Sequence, residues 1–155
     1  MNAQIVQLAP IRVVSLGHVG PYEGLSAEFD RLWTWVTAQN VPATRTIGIY
    51  WDNPDVTPAN QLRSAACVEV PPEFTLGDTG GLMLALGTIA GGSYAMTRFV
   101  GPYERLAPVW SDLTRYVERD LRRTISEEPA FEVYVNDASE TPPNELITEL
   151  YMPVL

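Results

Sequence analysis

The sequence predicts an α+β fold in which one strand-helix-strand-strand unit is used twice. Val19-Gly20-Pro21-Tyr22-Glu23, followed by Leu25, returns as Val100-Gly101-Pro102-Tyr103-Glu104, followed by Leu106, at a constant offset of 81 residues. The register holds downstream, with Phe29, Leu32 and Val36 answered by Trp110, Leu113 and Val117. A chance pentapeptide would not keep its apolar neighbours aligned, so the segment is a repeated supersecondary unit. Two copies argue for a pseudo-symmetric single domain over 1–155, with unit one at about 10–71 and unit two at about 82–155, rather than a solenoid, which needs three or more repeats.

In unit one, Ile11 to Gly17 is rich in β-branched residues and suits a strand. Gly20-Pro21 breaks it, with proline placed for the first turn of a helix. Leu25, Phe29, Leu32 and Val36 then fall at helical spacing, Trp33 widens the stripe, and the helix is expected to stop near Asn40, before Pro42. Thr44 to Trp51 reads as a strand. Asp52-Asn53-Pro54-Asp55 with Pro58 is turn chemistry. Ser64 to Val70 is the next strand, closed by Pro71-Pro72.

Phe74 to Gly81 holds the breakers Gly77-Asp78 and Gly80-Gly81 and reads as a connector. Leu82 to Ile89 and Gly92 to Val100 are expected to form a hairpin around Gly91-Gly92. The second helix follows Pro102, with Leu106, Trp110, Leu113, Val117 and Leu121 on its apolar side. Phe131 to Val135 and Leu146 to Met152 are the last two strands, separated by a polar loop with Pro142-Pro143.

Composition narrows the function. The chain has 155 residues, 46% hydrophobic and 19% charged, with a net charge of −9. All ten basic residues are arginine and most are scattered. That disfavours nucleic acid or an anionic membrane as a partner, because phosphate contact needs clustered Lys and Arg. A single cysteine, Cys67, excludes an intramolecular disulfide and a zinc site built on paired Cys, and suits a reducing cytoplasm. The start of the chain lacks a basic segment followed by an apolar one, and the longest apolar run, Leu82 to Leu86, is too short to span a bilayer. His18 has no second histidine at metal-ligand spacing, so no metal is expected. Cys67, among Ala65, Ala66 and Val68, reads as a buried inert thiol. Phosphate-loop, Gly-x-Ser-x-Gly and His-Glu-x-x-His motifs are missing, and no cofactor is expected.

The last two strands carry the site expectation. Phe131, Val133 and Val135 alternate with Glu132 and Tyr134; Leu150 and Met152 alternate with Glu149 and Tyr151. Antiparallel pairing of these strands is expected to bring both Glu-x-Tyr pairs onto one surface. Tyr50 and Trp51 of unit one are candidates to join them. Carboxylates among aromatic rings make an apolar cleft with polar anchors, suited to a cationic aromatic ligand through opposite charge and cation–π attraction.

The doubled Gly-Pro-Tyr before a helix, Gly48-Ile49-Tyr50-Trp51-Asp52-Asn53-Pro54 with Leu62-Arg63, Gly91-Gly92-Ser93-Tyr94-Ala95, Phe131-Glu132-Val133-Tyr134 and Glu149-Leu150-Tyr151-Met152-Pro153-Val154 together resemble the GyrI-like small-molecule-binding family. This family includes the DNA gyrase inhibitory protein and the effector-binding domains of AraC-type and MerR-type regulators. The resemblance implies antiparallel sheets with two long helices about a pseudo-twofold axis and a central ligand cleft. It points to Glu149 and Tyr151, then Glu132 and Tyr134, as ligand contacts. It implies a stand-alone binder of hydrophobic or cationic compounds, in resistance or sensing. Two alternatives stay open: hydrolysis of strained cyclopropane-type alkylators, with Glu149 or Glu132 as the catalytic group, and interaction with a protein partner such as gyrase or a regulator. The first strand begins by about Ile11, which leaves no room for a helix-turn-helix segment before it.

Overall fold

Eight strands and two α-helices make up the chain in a computed structural model that describes residues 1–155. In order they are β1 (Gln4–Leu8), β2 (Ile11–Val19), α1 (Leu25–Gln39), β3 (Thr46–Tyr50), β4 (Arg63–Glu69), β5 (Leu84–Ile89), β6 (Gly92–Val100), α2 (Leu106–Arg119), β7 (Ala130–Tyr134) and β8 (Ile147–Pro153). They fall into two compact units. The first is Pro10–Ala90, and the second joins Met1–Ala9 to Gly91–Leu155.

Within the first unit the strands lie in the order β3-β4-β2-β5, every neighbour antiparallel. The second has the matching order β7-β8-β6-β1, again antiparallel. The expected α+β class, with its duplicated unit and two long helices, is what the structure shows.

Each helix packs on one side of its own unit's strands. On α1, Leu25, Leu32, Trp35 and Val36 meet Val14, Ala66 and Val68. On α2, Leu106, Leu113 and Val117 meet Ala95, Leu150 and Met152. Leu32 and Leu113 occupy matching positions and both are fully buried. Burying each is worth about 1.5–3 kcal/mol, so the two stripes rather than intrinsic helix propensity hold the helices in place.

The repeated corner works through its glycine. Gly20 and Gly101 have φ of +132° and +154°, values that side-chain-bearing residues rarely adopt. A Cβ on Gly101 would also stand 2.7 Å from Cζ of Phe99. Proline does not open the α-helix directly. Pro21 and Pro102 each precede a short 3-10 turn, Tyr22–Gly24 and Tyr103–Arg105, and the α-helices begin after those turns.

Three expectations need correction. Leu84–Ile89 and Gly92–Val100 do not pair with one another: β5 pairs with β2 and β6 with β1. The first strand is not the Ile11 segment, since Gln4–Leu8 already forms β1. Finally, Trp35 rather than Trp33 is the buried indole of α1, at 5% against 37% exposure, and its Nε1–H donates to the Asp78 carbonyl at 2.7 Å.

Candidate ligand-binding site

The register of β7 on β8 decides where the two glutamates go. Phe131 pairs with Tyr151, Glu132 with Leu150, Val133 with Glu149 and Tyr134 with Thr148. Directly paired residues of antiparallel strands point to the same side. Glu132 and Tyr134 therefore share the side of Leu150, which packs against α2. Glu149 and Tyr151 share the opposite side with Phe131, whose ring stacks on Tyr151 at 4.7 Å and 7°. The expectation that both Glu-x-Tyr pairs share one surface is thus wrong. Each strand alternates as anticipated, but the pairing register sets the two alternations out of step.

On the helix side, Glu132 is only 4% exposed. The α2 indole of Trp110 donates from Nε1 to Oε1 at 2.6 Å, and the Tyr134 hydroxyl donates to Oε2 at 2.7 Å. Tyr103, from the repeated corner, sets its ring edge-on to Tyr134 at 5.5 Å and remains 37% exposed. Burial, then the negative charges of Glu132 and Asp137, push the Tyr103 phenol above its ordinary pKa, so it stays protonated as a donor.

On the opposite side, Glu149 is mostly covered, its side chain 15% exposed. Arg98 of β6, its cross-strand partner, donates from Nη2 to Oε2 at 2.7 Å, and the Tyr151 hydroxyl donates to Oε1 at 3.0 Å. Tyr94 packs edge-on to both Phe131 and Tyr151.

Tyr50 and Trp51 belong to the first unit. Tyr50 ends β3 edge-on to Tyr22 at 4.9 Å, and Trp51 is 44% exposed. The Tyr22 hydroxyl donates to the Asp52 carbonyl at 2.5 Å, while the Asp52 carboxylate takes two bonds from the Arg63 guanidinium at 2.8 and 2.9 Å. His18, at the end of β2, meets the Pro21 carbonyl at 3.0 Å through Nε2. Cys67 is fully buried, and burial pushes its thiol far above the ordinary range, as an inert thiol requires.

Trp110, Tyr103, Arg98 and Thr148 escaped the sequence-based site. A signal for Trp110 existed in the comparison of the repeats. The corner pair Tyr22–Tyr50 recurs as Tyr103–Tyr134, and Ser64 opposite Tyr50 recurs as Thr148 opposite Tyr134. On that frame Gly48 stands where the second unit has Glu132, and Phe29 where it has Trp110. The carboxylate and its indole donor arrive together.

A duplicated sheet-and-helix frame of this kind recurs among solved structures. It is similar to the solved EcmrR C-terminal domain, with a TM-score of 0.82 at 18% identity over 99% of this chain and 97% of that one. It is also similar to SAV2435, solved bound to tetraphenylphosphonium, with a TM-score of 0.67 at 17% identity over 100% of this chain and 94% of that one. At such identities the likeness is one of fold. The GyrI-like small molecule binding domain model matches residues 1–155, and the chain belongs to that family. Among its relatives is the DNA gyrase inhibitor of Escherichia coli strain K12, 35% identical over 144 residues, 90% of this chain and 89% of that protein. The Salmonella typhimurium DNA gyrase inhibitor is 32% identical over 155 residues, 99% of this chain and 98% of that protein.

Proposed function

We propose that this small-molecule-binding domain takes amphipathic aromatic compounds, cationic ones foremost, and that Glu132 is the carboxylate that meets the cation. The observation that carries this reading is the clamp on Glu132, a carboxylate 4% exposed and held by the aromatic donors Trp110 and Tyr134. Both donors are neutral, so they orient the carboxylate without cancelling its charge. Tyr103 and Tyr134 offer ring faces that attract a cation by about 0.5–2 kcal/mol each. Glu149 ranks second because the register places it on the side of the strands away from Tyr134 and its ring partner Tyr103. The bound tetraphenylphosphonium of SAV2435 is a ligand of the class proposed. Resistance to such compounds, or their sensing, is the use this binding would serve in a reducing cytoplasm.

Titration with tetraphenylphosphonium, followed calorimetrically, tests the reading. Glu132→Gln is expected to weaken binding at least about tenfold, the loss of one partly desolvated charge interaction, and Glu149→Gln to change it much less. Equal affinity for wild type and Glu132→Gln would remove Glu132 from the site. Mass spectrometry on the same incubations reports whether any bound compound is hydrolysed.

A second reading, binding to gyrase, is favoured by the gyrase-inhibitor relatives. A DNA supercoiling assay with added protein tests it, and unchanged supercoiling at excess protein counts against it.

A further inference from the structure

Thr148 lies in β8 with no exposed surface, yet its hydroxyl has no hydrogen-bond partner. It is paired with Tyr134 of β7 on one side and Phe99 of β6 on the other. It therefore shares the helix side of the sheet with Glu132 and Leu150. Directly paired residues stand with Cβ atoms about 5 Å apart, so the hydroxyl lies beside the tyrosine that donates to Glu132. Valine has the same shape, favours strands equally and avoids burying an unmatched polar group. Beside the carboxylate of Glu132, that hydroxyl is a hydrogen-bonding group left available to a bound molecule.

We propose that Thr148 Oγ1 is the hydrogen-bonding contact of the ligand site, reading a polar group such as an amine N–H or an ester carbonyl on the aromatic body whose cation faces Glu132. This inference rests on the reading of Glu132 given above. It divides ligands into two classes. Cations without hydrogen-bonding groups gain nothing from Thr148, whereas cations bearing an amine or ester beside the ring system gain a contact inside the apolar site.

Ser64 supplies an internal control. It matches Thr148 in the first unit, is 2% exposed, is also without a partner, and pairs with Tyr50 and His18. There Gly48 replaces the carboxylate and Phe29 the indole, so the same hydroxyl stands on a frame without the charge.

The test pairs two probes: tetraphenylphosphonium, which has no hydrogen-bonding group, and rhodamine 6G, which has secondary amines and an ester. Thr148→Val is expected to weaken rhodamine 6G about tenfold while tetraphenylphosphonium stays within about twofold, the scale of one hydrogen bond. Thr148→Ser restores rhodamine 6G affinity, and Ser64→Ala leaves both probes unchanged. Thermal unfolding of each variant checks that the fold is kept. If Glu132→Gln weakens both probes and Thr148→Val treats them alike, Thr148 is not a ligand contact and the Glu132 reading survives. If neither probe binds the wild type, or neither responds to Glu132→Gln, both readings fall.

Discussion

Replacing Trp110 by phenylalanine keeps an aromatic ring on α2 but deletes the indole N–H that donates to Glu132 at 2.6 Å. Because Glu132 is 4% exposed, water does not readily take the donor's place. Hydrogen bonds to charged groups contribute about 1.5–3 kcal/mol, so Trp110→Phe is expected to cost about 2–3 kcal/mol once the smaller ring is included. Repeating the change in a Glu132→Leu background separates the bond from the ring. There the cost is expected to fall to about 1 kcal/mol, a coupling energy of about 1–2 kcal/mol. Urea unfolding followed by circular dichroism provides the measurement. With a slope of about 1–3 kcal/mol/M, the single change moves the midpoint by about 1 M. Equal costs in the two backgrounds, within about 0.5 kcal/mol, would show that the indole packs beside Glu132 without stabilising it. Phe29→Trp makes the reverse exchange in the first unit, where Gly48 offers no carboxylate, and no compensating gain is expected.

Gly101→Ala is expected to lose about 1–3 kcal/mol by the same assay, because its φ of +154° and the 2.7 Å approach of Phe99 both oppose a methyl group; an unchanged midpoint would contradict this. Leu113→Ala, at a fully buried position of the α2 core, is expected to cost about 3–5 kcal/mol and to leave α1 contacts intact. Hydrogen bonds from Arg45 hold Glu69 below the ordinary glutamate range. Since the folded pKa is the lower one, the pair's stabilisation is full above the unfolded pKa and is lost as pH falls through the folded value. Midpoints should drop between about pH 5 and 3, less steeply in Glu69→Gln, and superimposable profiles would refute the assignment. Cys67, buried and held as the thiol, should react with Ellman's reagent only after denaturant is added, and prompt labelling of the native protein would show that β4 opens.

The frame was legible because its signals are local. The Val-Gly-Pro-Tyr-Glu corner depends on glycine geometry and proline stereochemistry, and the helical stripes depend on spacing, so both appear in a single strip of sequence. The partner of a strand is not local. Nothing around Gly91-Gly92 says that β5 leaves β6 for β2, because that choice is made by residues some seventy positions away. The same limit governs the site. The alternations in β7 and β8 were read correctly strand by strand, yet the pairing of Glu132 with Leu150 put the two carboxylates on opposite sides. Trp35 stands off the line of spacing through Leu25, Phe29, Leu32 and Val36, and the Asp78 carbonyl that anchors it comes from the connector. Trp110 looked like core because an indole in a helical stripe usually is.

The outer strand of the second unit comes from the beginning of the chain, and that has a consequence for the order of assembly. Pro10–Ala90 is continuous, so the first unit has all its strands as soon as residue 90 has been made. The Glu132-bearing unit must wait for its last strand and must also recover its first, reaching from Gln7 to Ser93, a separation of 86 residues. Long-range closure of this kind is slow compared with helix formation. During synthesis the half without a carboxylate in its frame can be complete while the half that holds the proposed ligand site is still an unfinished sheet, with β1 idle at the other end of the nascent chain.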